Sequence, residues 1–146
     1  MKLNLEINNL EKKPLKKTFV EKVITETLNE AGLKFLKKRN ISVSLAIVGK
    51  SEMKKINKKY RSKNQVTDIL SFSEFKNSKE MENHAGELFL GELILCYDDI
   101  KAYSQKNKIQ LKTELVNVIS HGVLHLLNFR HGRKMFEIQN KVSEKY

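Results

Sequence analysis

Glu87-Leu88-Phe89-Leu90-Gly91-Glu92-Leu93-Ile94-Leu95-Cys96 is the last stretch of the chain that reads as β-strand, and the fold class turns on it. It is apolar at most positions, as a strand covered on both faces would be, and Gly91 marks either a kink or the meeting of two strand pieces. Upstream, strands and helices mix. Leu3 to Ile7 alternates apolar and polar residues in a short strand. From Lys16 to Ala31, Phe19, Val20, Val23, Ile24, Leu28 and Ala31 recur at helical spacing, and Gly32 ends the pattern. Val43, Leu45 and Ile47 alternate with Ser42, Ser44 and Ala46 in a second strand, broken by Gly49. Ser51 is placed to cap a helix through Tyr60 that turns Met53, Ile56 and Tyr60 inward. Val66 to Phe72 predicts a third strand, and Glu74 to Gly86 a polar surface loop. Downstream everything is helical. Asp98 and Asp99 suit the start of a helix to about Lys108, Thr113 opens a strongly apolar one to about Asn128, and Gly132 precedes a last one carrying Met135, Phe136, Ile138 and Val142. Strands early and helices late predict an α+β fold: a small mixed four-stranded sheet with helices packed on it, rather than the regular alternation of a doubly wound one.

At 146 residues the chain has room for a single domain, 1–146, with a real core. Its composition excludes collagen, low-complexity linkers and disordered acidic tails. One cysteine, Cys96, excludes an internal disulfide framework and an all-cysteine zinc site, and points to a reducing compartment. The longest apolar stretches, Leu45 to Val48 and Leu93 to Tyr97, fall far short of the roughly 20 residues a membrane helix needs. Met1 to Glu6 lacks the apolar core of a leader, so the expectation is cytoplasmic, with no membrane partner. The net charge of +11 would attract a polyanion. Yet Arg39, Arg61, Arg130 and Arg133 are the only arginines, and a lysine excess beside abundant asparagine also arises from genome composition. The motifs must decide.

Three of the four histidines fall within Ser120-His121-Gly122-Val123-Leu124-His125-Leu126-Leu127-Asn128-Phe129-Arg130-His131. His121 and His125 stand four apart, so a helix projects both imidazoles from one face. One zinc ion, at ~2.0–2.1 Å from each nitrogen, can be held by both. The next turn carries Phe129, not a donor, so a third ligand comes from beyond the helix. His131 supplies it if the chain reverses just after Leu127, and Asn128 is a residue that enters the left-handed conformation readily. Three neutral imidazoles and a water make an open tetrahedral site for one Zn2+ per chain, able to lower the water's pKa toward ~7. A lone histidine beside Val118 and Leu124 would read as a core residue; three at this spacing read as metal ligands. The same spacing occurs in the zinc-peptidase pattern H-E-x-x-H-x-x-G-x-x-H, where the glutamate is the general base. Here that position is Gly122.

His121-Gly122-x-Leu124-His125-Leu126-x-x-Phe129-x-His131 resembles the signature of the YbeY family, bacterial metal-dependent endoribonucleases that mature ribosomal RNA. Ile56-Asn57-Lys58-Lys59-Tyr60-Arg61 followed by Thr67-Asp68-Ile69-Leu70-Ser71-Phe72 is similar to a second family block, and Leu90-Gly91-Glu92-Leu93-Ile94-Leu95-Cys96 to a third. The chain departs from the pattern at Asn128, Arg130 and Val66, where the family usually has Gly, Asp and Pro. The resemblance implies a zinc-dependent, single-strand-specific endoribonuclease acting in ribosomal RNA processing and ribosome biogenesis. It implies His121, His125 and His131 as metal ligands, and Arg61 and His121 as catalytic residues, the guanidinium offering bidentate donors to phosphoryl oxygens. Its implied partners are ribosomal RNA precursors and the small ribosomal subunit, with ribosomal proteins or an assembly GTPase beside them. Asp68 reads as a partner to the site, a general base or a turn residue. Cys96 reads as a buried strand residue and His84 as a solvent-facing loop residue. Two other readings stand beside this one: an RNA-binding assembly factor with structural zinc, and a zinc peptidase, against which Gly122 speaks.

Overall fold

The computed structural model describes every residue from Met1 to Tyr146. In chain order it forms β1 (Lys2–Asn9), α1 (Lys17–Glu30), a short 3-10 turn (Lys34–Leu36), β2 (Asn40–Ile47), α2 (Lys50–Arg61), β3 (Ile69–Ser73), α3 (Ser78–Asn83), β4 (Leu88–Leu95), α4 (Tyr97–Lys106), α5 (Leu111–Leu126) and α6 (Arg133–Ser143). The four strands make one sheet in the order β1-β2-β4-β3. β1, β2 and β4 run parallel, and β3 lies antiparallel on the β4 edge. This is the mixed α+β arrangement that the early strands and late helices predicted.

The core lies between the sheet and α1 and α5. Leu5, Ile41, Val43, Leu45, Leu88, Leu90, Leu93 and Leu95 from the strands meet Val20, Val23, Ile24 and Leu28 of α1 and Val116, Ile119 and Val123 of α5. α5 is buried along most of its length, with Leu115, Val118, Ser120, Gly122 and Leu126 also closed to solvent. A helix apolar nearly all round must sit at the centre of the molecule, and α5 does. The other face of the sheet is covered only at one end, where Met53 of α2 joins Leu70, Ile94 and Cys96 in a small second cluster.

The apolar run of β4 resolves into one strand with a bulge, not two pieces. Ser42 of β2 stands opposite Phe89 and Ser44 opposite Glu92, so Leu90 and Gly91 together face Val43. Leu88 and Leu90 point into the core before the bulge, and Leu93 and Leu95 after it. Gly91 has φ +137°, and a Cβ there would fall on the Phe72 carbonyl oxygen.

Four local expectations are corrected. Gly49, not Ser51, is the N-cap of α2, and Ser51 lies inside the helix. Tyr60 does not turn inward but is 55% exposed. β3 begins at Ile69 rather than Val66, where pairing with β4 starts, and the buried Asn57 holds the loop before it, its side-chain amide donating to the Gln65 carbonyl at 3.0 Å. The supposed loop at 74–86 contains α3, capped by Asn77, whose side chain accepts from the Glu80 amide, with Met81 fully buried.

Gly91→Ala combines a forbidden backbone conformation with a collision against main chain. It should lower unfolding free energy by about 3 kcal/mol or more in a denaturant titration. A loss below about 1 kcal/mol would mean the bulge can move aside.

Candidate metal centre

The site is assembled where β3 runs beside the second half of α5. The Ser71 hydroxyl donates to the Gly122 carbonyl at 3.1 Å, and the Ser73 hydroxyl to the Leu126 carbonyl at 2.9 Å. Just beyond, the Asn128 side-chain amide donates to the Phe75 carbonyl at 3.0 Å. Two residues of strand advance ~6.8 Å and four residues of helix ~6.0 Å, so the contacts can repeat along both elements. Such proximity needs Gly122. A Cβ there would meet Ile69 Cδ1 at 2.7 Å, Leu93 Cδ2 at 3.0 Å and Ser71 Oγ at 3.3 Å.

His121 and His125 project from α5 with their Nε2 atoms 2.9 Å apart. The helix ends at Leu126, Asn128 takes the left-handed conformation with φ +66°, and the reversed chain brings His131 back to the same place. Its ring centroid lies 5.0 Å from that of His121 and 4.7 Å from that of His125. One ligand atom from each of the three lies within 4.8 Å of the others, close enough to hold one ion. Burial pushes His121 below the ordinary histidine range, against the opposing effect of Gln139. Burial also lowers His125, reinforced by His121 and His131. Both shifts favour the neutral form that a metal requires. Two neutral imidazole nitrogens facing each other at hydrogen-bond distance, with a third close by, are a donor set suited to a shared cation.

The histidines form one wall of an open cleft of about 580 Å³, and Arg61 lines the same cleft. Arg61 Nη2 donates to the Ser71 carbonyl at 2.8 Å, and its guanidinium lies 4.9 Å from the centre of the Phe72 ring. Ser71 thus orients both sides: its hydroxyl holds the helix that carries His121 and His125, and its carbonyl holds the arginine. Asp68 also lines the cleft, with its carboxylate accepting from the Ile69 amide at 2.7 Å, the geometry of a turn residue opening β3. Beyond it, burial first and the charge of Asp68 second raise the carboxyls of Asp99 and Glu114. Cys96 is buried as read from the sequence, but it is the N-cap of α4 just past the end of β4 rather than a strand residue, and His84 is exposed as expected. Sequence reasoning missed Ser71, Ser73 and Asn57. The signal for the serines was their spacing, two hydroxyls on the core-facing side of an edge strand.

Fold and site together define an α+β protein with a three-histidine cluster able to hold a cation, on a cleft that Arg61 also lines. The family model described as Endoribonuclease YbeY matches residues 6–146. The chain belongs to the YbeY family. A relative from Thermodesulfovibrio yellowstonii named Endoribonuclease YbeY is 37% identical over 106 residues, 68% of this chain and 64% of that one. One of the same name from Buchnera aphidicola is 35% identical over 107 residues, again 64% of its length, so the chain spans just under two thirds of each of these relatives. A third, from Caldicellulosiruptor bescii, is 33% identical over 132 residues, 87% of this chain and 82% of that one. A Thermotoga maritima protein solved in solution matches the fold with TM-score 0.59 at 24% identity, covering 97% of this chain and 88% of that one.

The lowered histidines set a sign for pH dependence. An unfolded histidine titrates near ~6.5. Below that value the unfolded chain binds protons that the folded chain refuses, so this contribution to stability is present above ~6.5 and lost as pH falls through the folded pKa values. The denaturation midpoint of metal-free protein should therefore drop between about pH 7 and pH 5, and drop less in a His121→Asn, His125→Asn double variant. Equal slopes in the two proteins would place the pH response elsewhere.

Proposed function

We propose that the chain is a metal-dependent endoribonuclease that cuts single-stranded RNA during ribosomal RNA maturation, with zinc as its ion. The observation that carries this reading is the sharing of one cleft by Arg61 and the His121, His125 and His131 cluster. The three imidazoles hold one ion per chain, which when bound supplies Lewis-acid polarisation and an acidified water. His121 would be catalytic as one of the three residues that would hold the ion. Arg61 presents its remaining donors to the phosphoryl oxygens, already oriented by the Ser71 carbonyl, so little reorganisation is left for the transition state. Lys63, on the same cleft, adds attraction for the RNA backbone. The family's name supports RNA as substrate, and the +11 charge suits it.

On this reading residues 1–146 act as one domain in the cytoplasm on ribosomal RNA precursors and the small ribosomal subunit, with ribosomal proteins or an assembly GTPase as protein partners. No helix is long and apolar enough to cross a membrane. The peptidase reading loses ground, because Gly122 stands where the peptidase pattern carries its glutamate base.

Elemental analysis should find about one transition ion per chain, chiefly zinc, lost in His121→Ala and in His125→Ala. Full occupancy in a variant lacking all three histidines would move the site elsewhere. Arg61→Ala should keep its metal and most of its RNA affinity while cleavage slows by roughly 10²- to 10³-fold, with Arg61→Lys recovering only part. An RNA-binding protein with structural zinc would instead show no cleavage above a chelated control. Undiminished cleavage by Arg61→Ala would remove the arginine from the mechanism and leave the metal assignment standing.

A further inference from the structure

Phe72 follows Ser71 on β3, so its ring points to the opposite face of the sheet from the histidines, the face that α2 covers only at one end. There Tyr60 packs edge-to-face on Phe72, with ring centroids 5.3 Å apart and planes at 72°. Helical spacing groups Tyr60 with the buried Met53, yet it is 55% exposed. The two rings, Ile56, Ile94 and Glu92 line an open hollow of about 370 Å³. Cations rim it. Lys59 Nζ lies 5.2 Å from the Tyr60 ring centre, and Arg61 lies over Phe72 at 4.9 Å while its Nη2 bonds Ser71 at the cleft. Lys54, Lys55 and Lys58 continue the charge along α2, against Glu52 as its only acid.

We propose that Tyr60 and Phe72 form a stacking platform for one unpaired base of the RNA, reached where the strand passes round the β3 edge over Arg61. The inference rests on the RNA reading above and adds to it a residue-level cause of single-strand selectivity. An aromatic face with flanking cations is how single strands are held without sequence readout: the base stacks and the adjoining phosphates meet lysine or arginine. Glu92 on the lining repels phosphate, so the hollow admits a base and leaves the backbone to the rim. A duplex keeps its bases stacked inside and has none to offer. A purely apolar protein partner would gain nothing from five cations within the span from Lys54 to Arg61, and a polyanion does.

The test uses metal-loaded protein and a short single-stranded RNA carrying 2-aminopurine, with phosphorothioate linkages that resist cleavage, beside a duplex of the same sequence. Wild-type protein should quench the 2-aminopurine. Tyr60→Leu, which keeps apolar packing on Phe72, should lose the quenching and roughly 10- to 100-fold of single-strand affinity, the range of one base stacked on an aromatic ring. Its duplex affinity and metal content should not change, and Tyr60→Phe should behave as wild type. Single-strand affinity unchanged in Tyr60→Leu overturns the platform and assigns this surface to a protein partner, with the RNA reading intact. Equal losses for single strand and duplex overturn it too, as a general effect on fold or charge. Failure of wild-type protein to bind either RNA overturns the underlying reading and this inference with it.

Discussion

The Ser71 and Ser73 hydroxyls, donating to the Gly122 and Leu126 carbonyls, tie an edge strand to the middle of the molecule, and that seam sets the helix of His121 and His125 beside the strand that holds Arg61. β3 is bonded on one side only, to β4, and an edge strand of five residues held by a single neighbour would open readily. The seam gives it a second support. It also satisfies the Leu126 carbonyl, which belongs to the last turn of α5 and has no acceptor role left within the helix. Because the same Ser71 accepts the Arg61 guanidinium on its carbonyl, the arginine and the histidines are fixed to a common reference and not to separate loops.

A seam this close depends on two glycines beneath it. At Gly122 a side chain would enter the space of Ile69 and Leu93; at Gly91 it would enter that of the Phe72 main chain and of Leu126, whose Cδ2 would stand 3.0 Å away. The bulge at Gly91 and the bare turn at Gly122 therefore serve the same contact from its two sides. One lets β4 yield to β3, and the other lets α5 descend onto both. A side chain at position 122 would thus force the ends of Ile69 and Leu93 to shift, and its absence also removes the base that the peptidase pattern carries there.

The fold class was legible because it rests on periodicity, and the alternation in β2 and the helical spacing in α1 survive any tertiary context. The three histidines were legible because two of them share a helix face by spacing alone and Asn128 signals the reversal that returns the third. What was hidden depends on contacts between distant segments. Asn57 gave no local sign that it would be buried and would hold the loop at Gln65, and the third strand was read as starting at Val66, three residues early. Tyr60 has the spacing of a core residue, but the sheet is too narrow at that end to cover it, which no window of sequence can express. Ser51 looked like a cap because serine favours the position; the helix starts one residue after Gly49 instead, without a side-chain cap. Of the two serines of β3, Ser71 was read as a strand residue and Ser73 fell just past the predicted strand, and their partners lie 51 and 53 residues further along the chain.

The ligand spacing shared with zinc peptidases raises the question of why an extended peptide is not the natural occupant of this cleft. A free antiparallel edge beside a cation site is a ready template for strand addition, in which the peptide main chain pairs with exposed amides and carbonyls. In this molecule the carbonyl that such a peptide would need at Ser71 is already bonded to Arg61. Displacing the arginine would cost a charge-assisted hydrogen bond and bring a cation against an approaching amide, with no carboxylate at position 122 to activate water. A phosphodiester meets the opposite situation. It asks nothing of the strand's backbone, and the arginine that blocks the edge offers it the remaining donors of the guanidinium. On the proposed RNA reading the same side chain would disfavour one polymer and receive the other, because Ser71 fixes it on the edge rather than leaving it free in solvent.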